Sequence, residues 1–173
     1  MSKIVHLANF YGPKSGGLKT MMMKTAEHAL AVGHEVHHII PGRADETISN
    51  NGFTQHIIKA RIIPRSGGYR MITRVAYVIE LLESLNPDVI EISDRASLLA
   101  IADWAKERGI PTIMFAHERI DGVIKSHLHL TPSVLISDLL NKNATKRVDA
   151  IVATTDFAAQ EFRRIGTATH LIP

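Results

Sequence analysis

The residues able to do chemistry gather where apolar runs end. The first run, Ile4, Val5, Leu7 and Ala8, opens into Asn9-Phe10-Tyr11-Gly12-Pro13-Lys14-Ser15-Gly16-Gly17, and helix-forming residues Leu18 to Val32 follow at once. Strand, glycine-bearing loop and helix start in that order build an anion site, because the first N–H groups of a helix lack partners within it and carry partial positive charge. Gly16 and Gly17 allow a phosphate close to the backbone, Leu18 adds a further amide, and Lys14 and Lys19 stand beside them. The bland alternative is a tight βα turn that uses its glycines for packing alone. A second candidate is His117, which follows the apolar strand Pro111 to Ala116; its rival reading is a capping or loop histidine beside a local ion network of Glu118, Arg119 and Asp121.

Three further patterns resemble sites and are set aside on physical grounds. His34-Glu35-Val36-His37-His38 spells HExxH, which binds zinc only on a helix, where both imidazoles share a face. Here the segment follows Gly33, a helix-ending residue, and continues into Ile39-Ile40-Pro41. It reads as strand, with its histidines at the strand end and on the surface, and no metal site is expected. Gly12 to Thr20 approaches the P-loop GxxxxGK[ST], but Leu18 sets Lys19 and Thr20 one place late, a rotation of ~100° on a helix. Glu83 and Glu91 have a carboxylate spacing found in some glycosyltransferases, yet Asn86-Pro87 divides them between a helix end and a strand.

Lys59, Arg61, Arg65, Arg70 and Arg74 form a basic stretch with no acidic residue inside it. It reads either as a solvated face or as a patch for anionic lipid headgroups, each basic residue contributing on the order of 1 kcal/mol.

The elements that position these residues alternate. Strands are expected at Lys3–Ala8, His34–Ile40, Asp88–Ile92, Pro111–Ala116, Asp149–Thr154 and Thr169–Ile172, with Pro41-Gly42 closing the second and a hairpin at Asn51-Gly52. Helices are expected at Leu18–Val32, Met71–Leu85, Ala96–Arg108 (capped by Asp94), Val123–Arg147 with a break at Thr131-Pro132, and Asp156–Ile165. This alternation predicts an α/β, Rossmann-like, doubly wound domain: a mostly parallel sheet with helices on both faces. Ligands then gather at the C-terminal strand edge, on the loops Phe10–Gly17, Pro41–Arg43, Ser93–Arg95, His117–Gly122 and Thr154–Asp156. At 173 residues the chain is one domain, the size of a single lobe of a larger protein. No apolar run reaches the ~18–20 residues of a membrane span, and Met-Ser-Lys enters a strand directly, so no signal peptide is expected. Zero cysteines fits a reducing cytoplasm, and the formal charge of +3 favours an anionic partner. Aromatics at 5% without basic–aromatic interleaving argue against single-stranded nucleic acid.

ANFYGPKSGGLKT, GHEVHHIIPG, PDVIEISDRASL, MFAHERID and VDAIVATTDFAAQEF, in this order, resemble the N-terminal domain of family 4 glycosyltransferases of GT-B type. Within that family the nearest resemblance is to actinobacterial GDP-mannose-dependent phosphatidylinositol mannosyltransferases. The resemblance covers essentially the whole chain. It implies that residues 1–173 are the acceptor-side half of a two-domain retaining enzyme, transferring a hexose (mannose from GDP-mannose) to a lipid-linked or other hydroxyl acceptor without cofactor or metal. Gly16, Gly17 and Leu18 would lie against the donor diphosphate, and His117 near the donor sugar. Asp94 and Arg95 would face the acceptor; Asn9, Tyr11 and Lys14 are acceptor or phosphate candidates by loop position. The resemblance implies that a C-terminal donor-binding domain is missing after Leu171-Ile172-Pro173. It further implies little activity for this half alone, and a cytoplasmic location, peripheral at the inner membrane face. Two other readings stay open: a non-catalytic module binding nucleotide or anionic lipid, and a dehydrogenase-like cofactor domain. The first loop lacks GxGxxG and Ile40-Pro41-Gly42 ends without an acid, which count against the second.

Overall fold

A computed structural model of the protein describes residues 1–12, 15–64, 66–117 and 133–172. Ten strands and five α-helices run in the order β1 (Lys3–Ala8), α1 (Gly16–Ala31), β2 (Glu35–Gly42), β3 (Glu46–Asn50), β4 (Phe53–Lys59), β5 (Arg61–Ile62), β6 (Arg70–Met71), α2 (Val75–Leu85), β7 (Val89–Ser93), α3 (Ala100–Glu107), β8 (Thr112–Ala116), α4 (Ser133–Thr145), β9 (Ala150–Ala153), α5 (Asp156–Arg164) and β10 (His170–Leu171) among the described residues. Eight strands form one sheet in the order β10-β9-β8-β7-β1-β2-β4-β3. Every pairing in it is parallel except the β3–β4 hairpin, whose turn residues Asn51 and Gly52 both have positive φ (48° and 90°), as a type I′ turn demands.

The sheet is covered on both faces, as expected. Chain order reverses direction at β1, so right-handed crossovers send α1 to one face and α2, α3, α4 and α5 to the other. Under those four helices lies the main core: Val5, Leu7, Ile39, Ile90, Ile92, Met114 and Ile151 of the sheet meet Val78, Leu82, Ile101, Ala144, Ala158 and Phe162. Beneath α1, Leu18 and Met22 pack on Ala8 and Ile40, and Ala26 packs with Val36 and Phe53.

Several boundaries differ from the sequence reading. The second helix starts at Val75 rather than Met71, because Arg70–Met71 pairs with Arg61–Ile62 in a separate two-stranded sheet. Its C-terminus is as read: Asn86 is left-handed and returns its N–H to Leu82 at 2.8 Å before Pro87. β2 runs through Pro41 to Gly42, since pairing with β1 has already ended at Ile39 and the missing proline N–H costs no ladder bond there. A 3₁₀ turn at Ser97–Leu99 precedes α3, and the first helix starts two residues early, at Gly16. Two histidines of HEVHHII are not surface residues: His37 and His38 are buried, on opposite faces of β2, while His34, half-buried just before the strand, accepts the Ser2 N–H at 3.1 Å. The readings of Pro13, Lys14, Arg65, the start of the Val123–Arg147 helix with its Thr131-Pro132 break, and the Glu118–Arg119–Asp121 network lie outside the described residues.

Candidate functional site

The candidate residues lie at the C-terminal edge of the sheet, where β1, β7, β8 and β9 end side by side. The β1–α1 turn is its most constrained part. Phe10 holds φ = 56°, a left-handed conformation that is strained for a bulky residue. Ser15 ties the turn shut from inside: its hydroxyl donates to the Phe10 carbonyl and accepts the Gly12 N–H at 2.7 Å. Gly12 sits against Tyr69, where a Cβ would stand 3.3 Å from the ring.

This use of Ser15 has a consequence for α1. Ser15 is the residue before the helix, the position from which a serine ordinarily caps the first turn, yet it makes no side-chain cap. The first turn of α1 also contains no acidic residue. Helical bonding begins with the Lys19 N–H to the Ser15 carbonyl at 2.9 Å, and the N–H groups of Gly16, Gly17 and Leu18 have no acceptor among the described residues. Gly16 and Gly17 are exposed, and a Cβ built on either meets nothing within 4 Å. The Leu18 side chain faces the core, so only its backbone is available to a ligand. α5 shows the opposite arrangement: Thr155 accepts the Ala158 N–H at 3.1 Å and Asp156 stands in the first turn. Among the described residues nothing caps the α1 N-terminus, and its partial positive charge is unneutralised by either device.

His117 lies at the same edge, two strands over from β1. Burial above all, then the charge of Arg95 and the His6 ring, holds its pKa down at about 4. Arg95 lies just past the end of β7, the strand that pairs with β8 up to Ile92↔Met114. Arg95 itself is nearly buried and bonds the fully buried Glu161 of α5 at 3.1 Å, with its guanidinium 5.0 Å from the Phe162 ring centroid. Ser137 of α4 donates to the other Glu161 oxygen at 2.8 Å. Asp94 is buried and accepts the Leu98 N–H at 2.8 Å inside the 3₁₀ turn, so it braces that turn rather than capping α3, whose N-cap is Leu99; burial pushes its carboxyl up against opposing backbone bonds. Asn9 is fully buried, its carboxamide spent on the Ser97 hydroxyl (2.9 Å) and the Ile72 N–H (2.8 Å), so it braces the edge loops. Tyr11 is half-buried, with its phenol pushed up by burial and the Lys19 ammonium 5.1 Å from its ring centroid.

Sequence reasoning missed the floor between α1 and His117. Register places His6, Glu91, Ser93 and Phe115 on the α1 face of adjacent strands. The His6 Nε2 lies 2.8 Å from the Ser93 hydroxyl; the Glu91 carboxylate is 2.8 Å from Nδ1 but off the hydrogen-bonding line. Phe115 stacks on His6 at 5.4 Å, and His38 meets it edge-on at 5.9 Å. Alternation along β1, β2 and β7 carried this signal, since a polar residue at each of positions 6, 38 and 91 shares one register line.

The basic stretch is only partly free. Arg74 pairs with Asp45 at 2.7 Å and lies over the Tyr77 ring, while Arg70 donates to the Ala60 carbonyl at 2.6 Å. Lys59 and Arg61 are exposed and line a shallow depression of about 490 Å³ with Asp45, Thr73 and Arg74. Asp45, outside the stretch in sequence, is brought to it by the β2–β3 connection.

A glycine-led helix start and a strand-end histidine thus stand at one edge of a Rossmann-like sheet. The chain belongs to glycosyltransferase family 4, whose sequence pattern matches residues 15–173. It is 39% identical over 173 residues to a GDP-mannose-dependent alpha-(1-6)-phosphatidylinositol dimannoside mannosyltransferase of Mycobacterium tuberculosis, covering 99% of this chain and 45% of that protein. The chain therefore spans about half the length of the curated relatives it matches. In fold it is similar to sucrose-phosphate synthase from Thermosynechococcus elongatus (TM-score 0.66, 14% identity, 99% of this chain and 47% of that one). It is likewise similar to Acinetobacter baumannii MurG (TM-score 0.57, 10% identity, 99% and 45%). These are GT-B folds, and the likeness agrees with the expected α/β architecture.

Proposed function

We propose that the chain forms the acceptor-side half of a retaining glycosyltransferase, which moves mannose from GDP-mannose to a lipid-linked hydroxyl acceptor. One observation carries the reading: the α1 N-terminus is left uncapped because Ser15 serves the turn, and it opens at the sheet edge that holds His117. The name of the mycobacterial relative supports the choice of donor and acceptor class.

In this reading the amides of Gly16, Gly17 and Leu18 receive the diphosphate oxygens and stabilise the charge that develops as the sugar leaves. His117 meets the donor sugar as a neutral imidazole, and Tyr11, Lys14 and the loop braced by Asn9 and Asp94 border the acceptor. A second domain supplies the remaining cations and the nucleotide pocket, so residues 1–173 alone transfer little. Lys59 and Arg61, with Arg65, hold the protein against acidic headgroups at the cytoplasmic face of the membrane.

The test is transfer of labelled mannose from GDP-mannose to a lipid extract containing phosphatidylinositol mannosides, by the full-length protein, with UDP-glucose, NAD and ATP as comparison ligands. Label in the lipid phase with GDP-mannose alone supports the reading. NAD binding with no response to either sugar nucleotide, or headgroup binding without transfer, overturns it in favour of a cofactor domain or a binding module.

A further inference from the structure

On a strand, HEVHH sends its histidines to two faces, and the α2 face holds a chain of four polar side chains. The pairings Ile39↔His56 and Thr47↔His56 bring it together from β2, β4 and the edge strand β3. His37 and His56 are buried and nearly coplanar (16°), with His37 Nδ1 3.0 Å from His56 Nε2. At the outer ends, His37 Nε2 lies 2.7 Å from the Glu35 carboxylate, and His56 Nδ1 lies 3.3 Å from the hydroxyl of the exposed Thr47. With both rings neutral, these three contacts admit one arrangement of protons. The Glu35 carboxylate only accepts, so His37 carries its proton on Nε2 and accepts at Nδ1. His56 must then donate from Nε2, which leaves its Nδ1 to accept the Thr47 O–H.

We propose that Glu35, His37, His56 and Thr47 form a one-proton site that fastens the β3–β4 hairpin to β2: the first proton reverses the chain without breaking it, and the second breaks it. The first proton enters at His56 Nδ1, the His56 Nε2 proton passes to His37 Nδ1, and the Thr47 hydroxyl turns to accept. One proton is gained, every contact is kept, and the charge rests on His37 against the Glu35 carboxylate. A second proton has no such route, because charging His56 as well sets two N–H groups face to face across 3.0 Å. Burial, then the charge of His37, lowers the His56 pKa, in keeping with that order. The other charged or titratable groups around the chain are Lys3 of β1, 3.5 Å from Glu35, and His38 on the opposite face of β2. Glu46 of β3 is exposed and alternates away from Thr47. α2 packs Val78 and Leu82 with Ile39 and Ile58 on this face and keeps Glu80 and Glu83 exposed. The strand so fastened follows directly on Asp45, which holds Arg74 of the basic stretch.

The rings report this directly in imidazole nitrogen NMR of the full-length, isotope-labelled protein, without donor or acceptor. At neutral pH both His37 and His56 are expected as Nε2–H tautomers, with a nitrogen–nitrogen coupling across their shared bond. On acidification His56 is expected to change from Nε2–H to Nδ1–H at the same midpoint at which His37 becomes charged. A His56 ring that keeps its tautomer, or that takes the first charge itself, overturns the proposal. Glu35→Gln still accepts from His37 but removes the negative charge, so it is expected to lower the shared midpoint by about half a pH unit or more. An unchanged midpoint overturns the role of Glu35. Hydrogen exchange along β3 is expected to stay slow through the first step and to quicken only when His56 charges; quickening at the first step overturns the fastening.

Discussion

Replacing Gly17 with alanine separates folding from binding at the α1 N-terminus. A Cβ at this position meets nothing within 4 Å, and its backbone is not in the left-handed region. The change therefore removes glycine's excess freedom in the unfolded chain and improves helix propensity, together roughly 0.5–1 kcal/mol in favour of the fold. For a domain of this size that is about 1–4 °C in Tm. The same methyl group stands over the open amides of Gly16, Gly17 and Leu18, where the diphosphate is proposed to dock. Holding an anion off one charge-assisted bond costs about 1.5–3 kcal/mol, which is roughly 10- to 150-fold in donor affinity. Calorimetry and GDP-mannose kinetics on the full-length protein, with Gly16→Ala as a companion, read both effects. A rise in Tm with kcat and KM unchanged refutes the docking argument. A fall of several degrees refutes the packing argument, by showing that Gly17 is needed for the fold.

Other expectations follow from the same geometry. His38 is buried with neither ring nitrogen bonded, and burial, then His6 and His37, pushes its pKa to about 3. Its folded value lies below the unfolded 6.5, so it costs nothing above that pH and up to about 5 kcal/mol as pH falls toward 3. His38→Leu should therefore flatten the acid limb of a urea-unfolding series between pH 6.5 and 3.5; an unchanged limb would exclude this ring as a cause of acid sensitivity. Thr155→Ala should cost about 1 kcal/mol by removing the α5 cap, read as a lower urea midpoint with unchanged slope. Lys59→Glu with Arg61→Glu should weaken binding to anionic vesicles at low salt while stability moves by about 0.5 kcal/mol or less, both residues being exposed. Vesicle binding that persists would place the membrane contact elsewhere.

The alternation of apolar runs and helical periodicity was enough to place the mostly parallel sheet with helices on both faces. What misled was local chemistry with a distant partner. Met71 looked helical because its spacing fits α2, yet Arg70–Met71 is pulled into a ladder with Arg61–Ile62. His37 and His38 looked like surface residues because histidine is polar, but His37 is satisfied by Glu35 (2.7 Å) and His56 (3.0 Å), and His38 is enclosed by Phe53 and His6. Arg95 was read only as facing the acceptor; its ion-pair partner Glu161, 66 residues away and on another layer, went unread. Ser15 was read only as part of a phosphate loop. Its diversion from the cap, the feature that leaves the α1 amides open, depends on the left-handed Phe10, which no spacing in the sequence announces.

The most direct measurement is a map of backbone amide shifts in the isotope-labelled full-length protein as GDP-mannose is added. The account predicts movement at Gly16, Gly17 and Leu18 together with the His117 imidazole, and none at the Met1, Glu35 and Asp88 end of the sheet. Shifts confined to that opposite end, or a bound donor that leaves the α1 N-terminus untouched, would contradict it.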